Sequence, residues 1–120
     1  MLQRQVYVAG RVKTMNNAIM ENVDAIHNAI ARNLKISFQY FQWNVKKEPE
    51  LRKNGARYVI SPWGLSWDDE NYYMVGYDAD ADMIKHYRVD KMLHIKIEKT
   101  KREGRYKFKE IDMAAYGIVI

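Results

Sequence analysis

The residues best suited to chemistry in this chain are aromatic and cationic side chains in three strand-like segments. His86 and Arg88 are two residues apart, so they would point to the same face of a strand. An arginine fork can hold a phosphate through two hydrogen bonds, and aromatic rings can stack on nucleobases. The pattern is therefore typical of a site for a flat anion. The alternative is that Trp63 and Tyr73 are barrel core and that Arg88 pairs with Asp90.

The sequence gives no positive sign of catalysis or of a metal site. Ser61 and Ser66 lie outside any Gly-x-Ser-x-Gly elbow, and the three histidines lack metal-ligand spacing. The acidic run Asp78–Asp82 resembles the start of a calcium loop, but Met83 and Val89 stand where that loop needs Gly and Glu. We therefore expect a hairpin turn there, and a protein that is not an enzyme and uses no cofactor or metal.

The composition is that of an ordinary globular domain. A chain of 120 residues, 48% of them hydrophobic, can bury one modest core. The sequence has no apolar run of about 18 residues and no apolar signal core at its start, so we expect neither membrane insertion nor secretion. The absence of cysteine excludes disulfides and agrees with a cytoplasmic location.

Charge is distributed unevenly along the chain. Residues 1–60 hold ten Lys or Arg and four Asp or Glu, whereas residues 61–84 hold six acids and no Lys or Arg. Residues 85–120 again hold ten Lys or Arg, against five acids. This asymmetry indicates either an anion-binding face or simply acidic hairpin turns between solvated basic strands.

Hydrophobic spacing predicts one helix near the N-terminus. Gln5–Ala9 is predicted to be a short strand that ends at Gly10. Apolar residues then recur at helical spacing, and Asn22 lies on the opposite, polar face. The apolar stripe consists of Ile19, Val23, Ile26, Ile30 and Leu34.

Alternation of period two predicts strands in the rest of the chain. The predicted strands are Ile36–Phe41, Arg57–Ser61, Leu65–Trp67, Tyr72–Tyr77, Met83–Val89 and Met92–Ile97. Asn44–Gly55 is predicted to be a long loop, Lys99–Arg105 a basic linker and Phe108–Tyr116 a second helix. One helix followed by short strands indicates an α+β fold, with the N-terminal helix packed on a small antiparallel barrel.

Three of these segments resemble the WYL domain family. Tyr72–Met74 corresponds to the Trp-Tyr-Leu triplet that names the family, with Tyr for Trp and Met for Leu. Ser61–Leu65 is similar to its Ser-Pro-Tyr-x-Leu segment, and Tyr87–Met92 to its Phe-Arg-Leu-Asp-Arg-Ile segment. Their order and spacing agree over roughly residues 17–97.

The resemblance implies an Sm-like, SH3-type barrel. WYL domains commonly follow a winged helix-turn-helix domain in bacterial, DeoR-like transcriptional regulators, where they sense ligands or nucleic acids. Residues 1–15 would then connect to a missing DNA-binding domain, and residues 16–98 would form the sensing domain. Residues 99–120 would be a linker and the start of a truncated C-terminal extension. The uncharged, apolar end Gly117–Ile120 agrees with this expectation of a fragment.

The resemblance also implies which residues line a ligand pocket. The positions that match the family pocket are Ser61, Trp63, Tyr73, His86, Arg88 and Lys91. Arg88 and Lys91 would hold phosphate, and His86 and Lys91 stand where the family frequently has Arg. Trp63 and Tyr73 would stack on a base, and Ser61 would donate a hydrogen bond. The ligand would be a single-stranded nucleic acid segment or a small nucleotide-like anion.

Two functions follow from these expectations. In the first, the domain senses an effector, and binding alters the geometry of a homodimer that contacts promoter DNA only through the missing N-terminal domain. In the second, the barrel and the helix stripe serve protein interaction or dimerisation, and no ligand binds.

Overall fold

The computed structural model describes the backbone of residues 6–111 and 118–119 and the side chains of residues 18–111. The helices and strands are α1 (Val6–Ala31), β1 (Leu34–Trp43), β2 (Pro49–Leu51), β3 (Tyr58–Asp68), β4 (Asn71–Asp78), β5 (Met83–Arg88), β6 (Met92–Lys101), α2 (Arg105–Phe108) and β7 (Ile118–Val119). Two 3-10 turns, Arg52–Gly55 and Val89–Lys91, lie between β2 and β3 and between β5 and β6. Within the described residues, no helix is long and apolar enough to cross a membrane.

The first helix begins earlier and ends earlier than the sequence predicts. Residues 6–9, predicted as strand, lie inside α1, because no described strand pairs with them and each added helical residue gains a backbone hydrogen bond. The helix ends at Ala31, where Asn33 adopts the left-handed φ of 59° that commonly closes a helix. Leu34, predicted to end the helical stripe, therefore begins β1 instead.

The apolar face of α1 packs on the sheet, as its spacing predicts. The helix residues in the main core or packed against it are Ile19, Val23, Ile26, Ala29 and Ile30. Asn22, predicted to face solvent, instead donates from Nδ2 to the carbonyl oxygens of Val89 at 3.1 Å and Met92 at 3.0 Å. An amide on the polar side of the stripe thus fixes the 3-10 turn that follows β5.

The strands form one antiparallel sheet that curls into a half-barrel, which confirms the α+β class. Along the sheet the order is β2-β1-β3-β4-β5, with β6 also paired to β1 and β7 to β3. The prediction of a long loop over Asn44–Gly55 is wrong, because this segment contains β2 and a 3-10 turn. Asn44 closes the turn before β2, since its Oδ1 accepts the backbone N–H groups of Lys46 at 2.8 Å and Glu48 at 3.0 Å.

The C-terminal part differs from its prediction as well. Lys99 and Lys101, predicted as linker, belong to β6, because Lys101 pairs with Leu34 across the sheet. The helix predicted from Phe108 onward is wrong where the structure describes it, since α2 ends at that residue and residues 109–111 form a turn. The rest of that predicted helix lies outside the described residues.

Four aromatic rings hold the curled sheet together at its centre. Phe38 and Tyr40 come from β1, Tyr58 from β3 and Tyr87 from β5. Phe38 stacks on Tyr58 at 5.4 Å between ring centres, and Tyr87 meets Phe38 edge-on at 5.5 Å. The hydroxyl of Tyr40 also accepts the backbone N–H of Arg88 at 2.8 Å. This aromatic cluster therefore fastens β5 to β1, although these two strands do not pair.

Residues 102–108, which we call the strap, cross the sheet beside the turn between β4 and β5. Gly104 has a φ of 85°, and a Cβ there would lie 2.0 Å from the ring of Tyr77. Tyr77 donates its hydroxyl hydrogen to Asp82 at 2.6 Å, and the hydroxyl of Tyr106 donates to the same carboxylate oxygen. These hydrogen bonds lower the pKa of Asp82 and raise that of Tyr77. The strap is thus fixed both by close backbone approach and by a shared carboxylate.

Removing the Tyr40 hydroxyl should destabilise the protein, whereas removing that of Tyr87 should not. Tyr40→Phe leaves the N–H of Arg88 without its acceptor, so urea unfolding should show a loss of about 1 kcal/mol. The hydroxyl of Tyr87 is buried and has no hydrogen-bond partner among the described residues. Tyr87→Phe therefore serves as the matched control and should leave stability unchanged or raised. Equal losses in the two variants would contradict the role of Tyr40 in fastening β5.

The close contact of the strap can be separated from backbone conformation by two glycine substitutions. In Gly55→Ala the new residue must keep a φ of 84°, but its Cβ makes only ordinary contacts. This substitution should therefore lower the free energy of unfolding by about 1 kcal/mol. In Gly104→Ala the φ is nearly the same, but the new Cβ also clashes with the ring of Tyr77. This substitution should therefore lower the free energy of unfolding by about 1 to 3 kcal/mol more than Gly55→Ala. Urea unfolding of both variants measures the difference. If Gly104→Ala costs no more than Gly55→Ala, the strap does not press on Tyr77.

Candidate functional site

Most of the predicted site residues share one side of the sheet. Tyr73 in β4 lies directly opposite Arg88 in β5, and His86 precedes Arg88 by two residues. Ser61 in β3 lies opposite Tyr77, which is four residues beyond Tyr73 on β4. We call the side that carries Ser61, Tyr73, His86 and Arg88 the outer face. It is the side away from α1 and the main core.

Trp63 joins the outer face through an irregularity in β3. The register between β3 and β4 shifts between Pro62 and Gly64, as in a β-bulge. A second, smaller core forms there from Trp63, Val75, Tyr77 and Phe108. Lys91, the remaining predicted site residue, lies in the 3-10 turn after β5, close in sequence to Arg88 but off the strands.

Ser61 and Trp63 are both covered by the strap. The backbone N–H of Glu103 donates to Ser61 Oγ at 2.9 Å, and Trp63 Nε1 donates to the carbonyl oxygen of Glu103 at 2.8 Å. The ring of Phe108 stacks on that of Trp63, with 5.6 Å between centres and an interplanar angle of 19°. Two residues that the sequence assigns to ligand binding therefore bind a segment of their own chain.

Arg102 is a cation that the sequence prediction missed. Its guanidinium lies 3.9 Å from the centre of the Trp63 ring, and its Nη1 donates to the carbonyl oxygen of Pro62 at 3.0 Å. Its Nε donates to Asn33 Oδ1, also at 3.0 Å. Burial lowers the pKa of Arg102, with a further lowering by nearby Arg105. The sequence carries no signal that distinguishes Arg102, because it is one of several cations in the segment predicted to be a linker.

A basic groove borders the strap on this side of the molecule. It has a volume of about 540 Å³. The residues that line it are Asn33, Trp63, Arg102, Arg105, Phe108 and Lys109. Trp63 is the only predicted site residue in this lining, which otherwise comes largely from the strap. The groove therefore combines aromatic rings and cations, as the sequence pattern does, but with different residues.

Arg88 is engaged by an acidic neighbour. Its Nε and Nη2 donate to the two carboxylate oxygens of Asp90 at 3.0 and 2.7 Å, and Nη2 also donates to Asn71 Oδ1 at 3.1 Å. The hydrogen bonds to Asp90 raise the pKa of Arg88. The pairing with Asp90 that the sequence left open as an alternative is thus present, and the fork that would hold phosphate is occupied by a carboxylate of the same chain.

His86 and Tyr73 border the engaged arginine. His86 is exposed, but partial desolvation lowers its pKa below the usual value of 6.5, so at neutral pH the ring is mostly uncharged. Tyr73 is half-buried and lies opposite Ser66 as well as Arg88. Positive charge at this end of the outer face therefore comes from Arg88, not from His86.

The match to known proteins agrees with this architecture. A family model, the WYL domain, matches residues 21–97, which is more than half of the chain. The match contains most of the half-barrel and all six predicted site residues, but not the end of β6, the strap or β7. A search of curated proteins returned no match. The family is one of regulatory, non-catalytic domains. The resemblance that three short segments predicted is confirmed, and the chain belongs to the WYL domain family.

Proposed function

We propose that this WYL domain is the sensing module of a bacterial transcriptional regulator, and that it binds a single-stranded nucleic acid segment or a nucleotide-like anion on the outer face. The observation that carries the proposal is that Tyr73 lies directly opposite Arg88, with His86 beside it. Cross-strand neighbours of this kind offer a ring for stacking and a fork for phosphate within the span of one nucleotide.

Arg88 can exchange its carboxylate partner for a phosphate. The side chains of Arg88 and Asp90 are 34% and 27% exposed, and ion pairs open to solvent are worth about 1 kcal/mol or less. A phosphate accepts the same two parallel hydrogen bonds, and a terminal phosphate also carries more negative charge than a carboxylate. Lys91 follows Asp90 in the 3-10 turn and would add a second cation. The pairing of the Arg88 guanidinium with Asp90 would therefore lower the affinity for phosphate without preventing its binding.

Contact of the effector with Trp63 or Ser61 would require the strap to move. Both side chains hydrogen-bond to the backbone of Glu103, and Phe108 covers the Trp63 ring. An effector that stacks on Trp63 would therefore compete with the strap, and the chain beyond residue 108 would respond. Coupling between two sites needs an element with two alternative positions. The strap would be such an element, bound to Trp63 without the effector and released when the effector binds.

The wider setting of the proposal comes from the family. The half-barrel would be an Sm-like barrel, and the regulator would work as a cytoplasmic homodimer. Promoter DNA would be contacted by a separate N-terminal domain. The effector would act on that domain by changing the geometry of the dimer.

A second function, protein interaction without a ligand, is favoured by an exposed apolar patch. Met20 of α1 is 52% exposed, and Trp67 and Tyr72 of the β3–β4 hairpin are 56% and 37% exposed. Together with Ile19 they line a shallow groove of about 230 Å³ beside α1. Exposed apolar groups of this kind commonly mark interaction surfaces. Light scattering that shows a stable dimer without salt-dependent nucleic acid binding would favour this function.

The role of Arg88 can be tested with two substitutions that should act in opposite directions. The probe is a fluorescein-labelled oligodeoxythymidylate of about 12 nucleotides, titrated by anisotropy at low salt. Arg88→Gln should weaken binding about tenfold, because it removes hydrogen bonds to a charged group. Asp90→Asn should tighten binding, because the competing carboxylate is lost.

Lys46→Gln is the matched control for loss of one positive charge. Lys46 is exposed in the turn between β1 and β2, so its removal should change affinity by less than about twofold. Binding should also weaken as salt rises, since phosphate contacts release counterions. An unchanged affinity in both Arg88→Gln and Asp90→Asn would contradict the proposal that Arg88 binds phosphate.

A further inference from the structure

A second basic groove opens on the other side of β5, between that strand and the 3-10 turn Arg52–Gly55. We call it the tyrosine groove, because Tyr58 and Tyr87 line it together with Arg52, Lys53, Lys85 and His86. Its volume is about 500 Å³, within the usual range for small-ligand sites of about 300 to 1,000 Å³. It exists because the sheet curls far enough to bring β5 near β1 and β3 without pairing to either.

Tyr58 and Tyr87, which line this groove, carry buried hydroxyl groups that have no hydrogen-bond partner among the described residues. Tyr58 and Tyr87 are 6% and 5% exposed, and within the part of the chain that the structure describes neither Oη atom is hydrogen-bonded. Buried polar side-chain atoms nearly always have a partner. The neighbouring tyrosines follow that rule, since Tyr40 accepts the N–H of Arg88 and Tyr77 donates to Asp82. The hydroxyls of Tyr58 and Tyr87 therefore depart from the rule that buried polar atoms are hydrogen-bonded, and this departure needs a physical reason.

The groups around these hydroxyls are largely cationic, although the carboxylate of Asp78 also lies near Tyr87. Lys53 Nζ lies 4.0 Å from the centre of the Tyr58 ring, and the Arg52 guanidinium lies 6.0 Å from that of Tyr40. Lys85 also borders the groove, where Asp78 pairs with it at 2.8 Å. Burial raises the pKa of Tyr87, so its phenol keeps its proton and remains a donor. Residues that carry phenol hydroxyls and residues that carry positive charge thus line one volume.

The cations are held over the groove by a fixed turn. Lys53 and Asn54 both have left-handed φ angles, 57° and 54°, which non-glycine residues seldom adopt. Gln39 Nε2 donates to the carbonyl oxygen of Gly55 at 2.8 Å, and the N–H of Ala56 donates to that of Lys53 at 3.0 Å. Uncommon backbone conformations of this kind tend to occur at ligand clamps and switch regions.

We propose that the tyrosine groove is a phosphoryl-binding site in which the hydroxyls of Tyr58 and Tyr87 donate to the phosphoryl oxygens and Arg52, Lys53 and Lys85 supply the positive charge. The donors come from β3, β5 and the 3-10 turn, so they approach from several directions. A tetrahedral phosphoryl group can accept from all of them, whereas a planar carboxylate accepts mainly in its own plane. The site does not include Arg88 or Tyr73, although His86 borders both surfaces, so it goes beyond the function proposed above.

The test compares ligand binding with stability in conservative variants. Inorganic phosphate is titrated into the purified chain by calorimetry, and thermal unfolding is followed with and without it. The double variant Tyr58→Phe, Tyr87→Phe should bind phosphate at least about tenfold more weakly, since two hydrogen bonds to an anion are lost. Its melting temperature without ligand should be unchanged or higher, because no existing hydrogen bond is removed. Tyr72→Phe, which alters an exposed hydroxyl elsewhere, should match the wild type in both measurements.

Two further probes identify the source of the phosphoryl group. Adenosine monophosphate carries a terminal phosphate, whereas an oligodeoxythymidylate with unphosphorylated ends offers only phosphodiesters. Tyrosine-dependent binding of the first alone supports a small nucleotide, and tyrosine-dependent binding of both supports a nucleic acid backbone. Absence of phosphate binding by the wild type, or equal affinity in the double variant, would overturn the site. Oligonucleotide binding that depends on Arg88 but not on the tyrosines would leave the outer-face proposal standing.

Discussion

The contact on which the rest of the molecule depends is the aromatic cluster of Phe38, Tyr40, Tyr58 and Tyr87. Its rings come from β1, β3 and β5, and only some of these strands pair with one another. A flat sheet would hold the ring of Tyr87 far from those of β1. Each aromatic pair adds about 0.5 to 1.5 kcal/mol beyond the burial of its area, so the four rings together favour curling strongly. The hydroxyl of Tyr40 then holds β5 in the curled position by accepting a hydrogen bond from the backbone N–H of Arg88.

Curling creates both of the basic surfaces. On the inside, β5 approaches β1 and β3 without pairing, and the tyrosine groove occupies the gap. On the outside, the bend in β3 at the irregularity beside Trp63 makes room for the strap, whose Phe108 stacks on that ring. The side chains of β5 alternate between these surfaces, with Tyr87 on one and Arg88 on the other. One short strand thus connects the core to two sites.

The sequence predicts well what depends on local spacing. The alternation of Ile36, Phe38 and Tyr40 places all three in the core, and the tight connection before β4 is made by Asp69 and Glu70, whose φ angles are 51° and 62°. Positive φ at both positions is the hairpin geometry that suits the twist of a sheet. Strand periodicity likewise places His86 and Arg88 on one side of β5. The register between β4 and β5, which the sequence does not give, puts Tyr73 opposite Arg88.

Contacts between distant residues could not be predicted in the same way. Asn22 is polar and lies off the apolar stripe, yet its amide caps a turn that is 67 residues away along the chain. Arg102 is one of several cations in a basic segment, and only the position of Trp63 distinguishes it. The pairing of Arg88 with Asp90 was foreseen as one of two options, since phosphate and carboxylate present the same geometry to a guanidinium. For Asn22 and Arg102 the deciding partner is distant along the chain and is set only by the fold.

The strap is held through the backbone of Glu103, and this has an evolutionary consequence. Ser61 and Trp63 bond to its N–H and carbonyl oxygen, which every residue except proline provides in full. The side chain itself makes an ion pair with Lys35 at 2.6 Å, but it is 56% exposed and contributes little. The identity of this residue can therefore drift among relatives, whereas the number of residues between β6 and Gly104 cannot. Divergence here should accumulate as substitutions, and insertions or deletions should be rare.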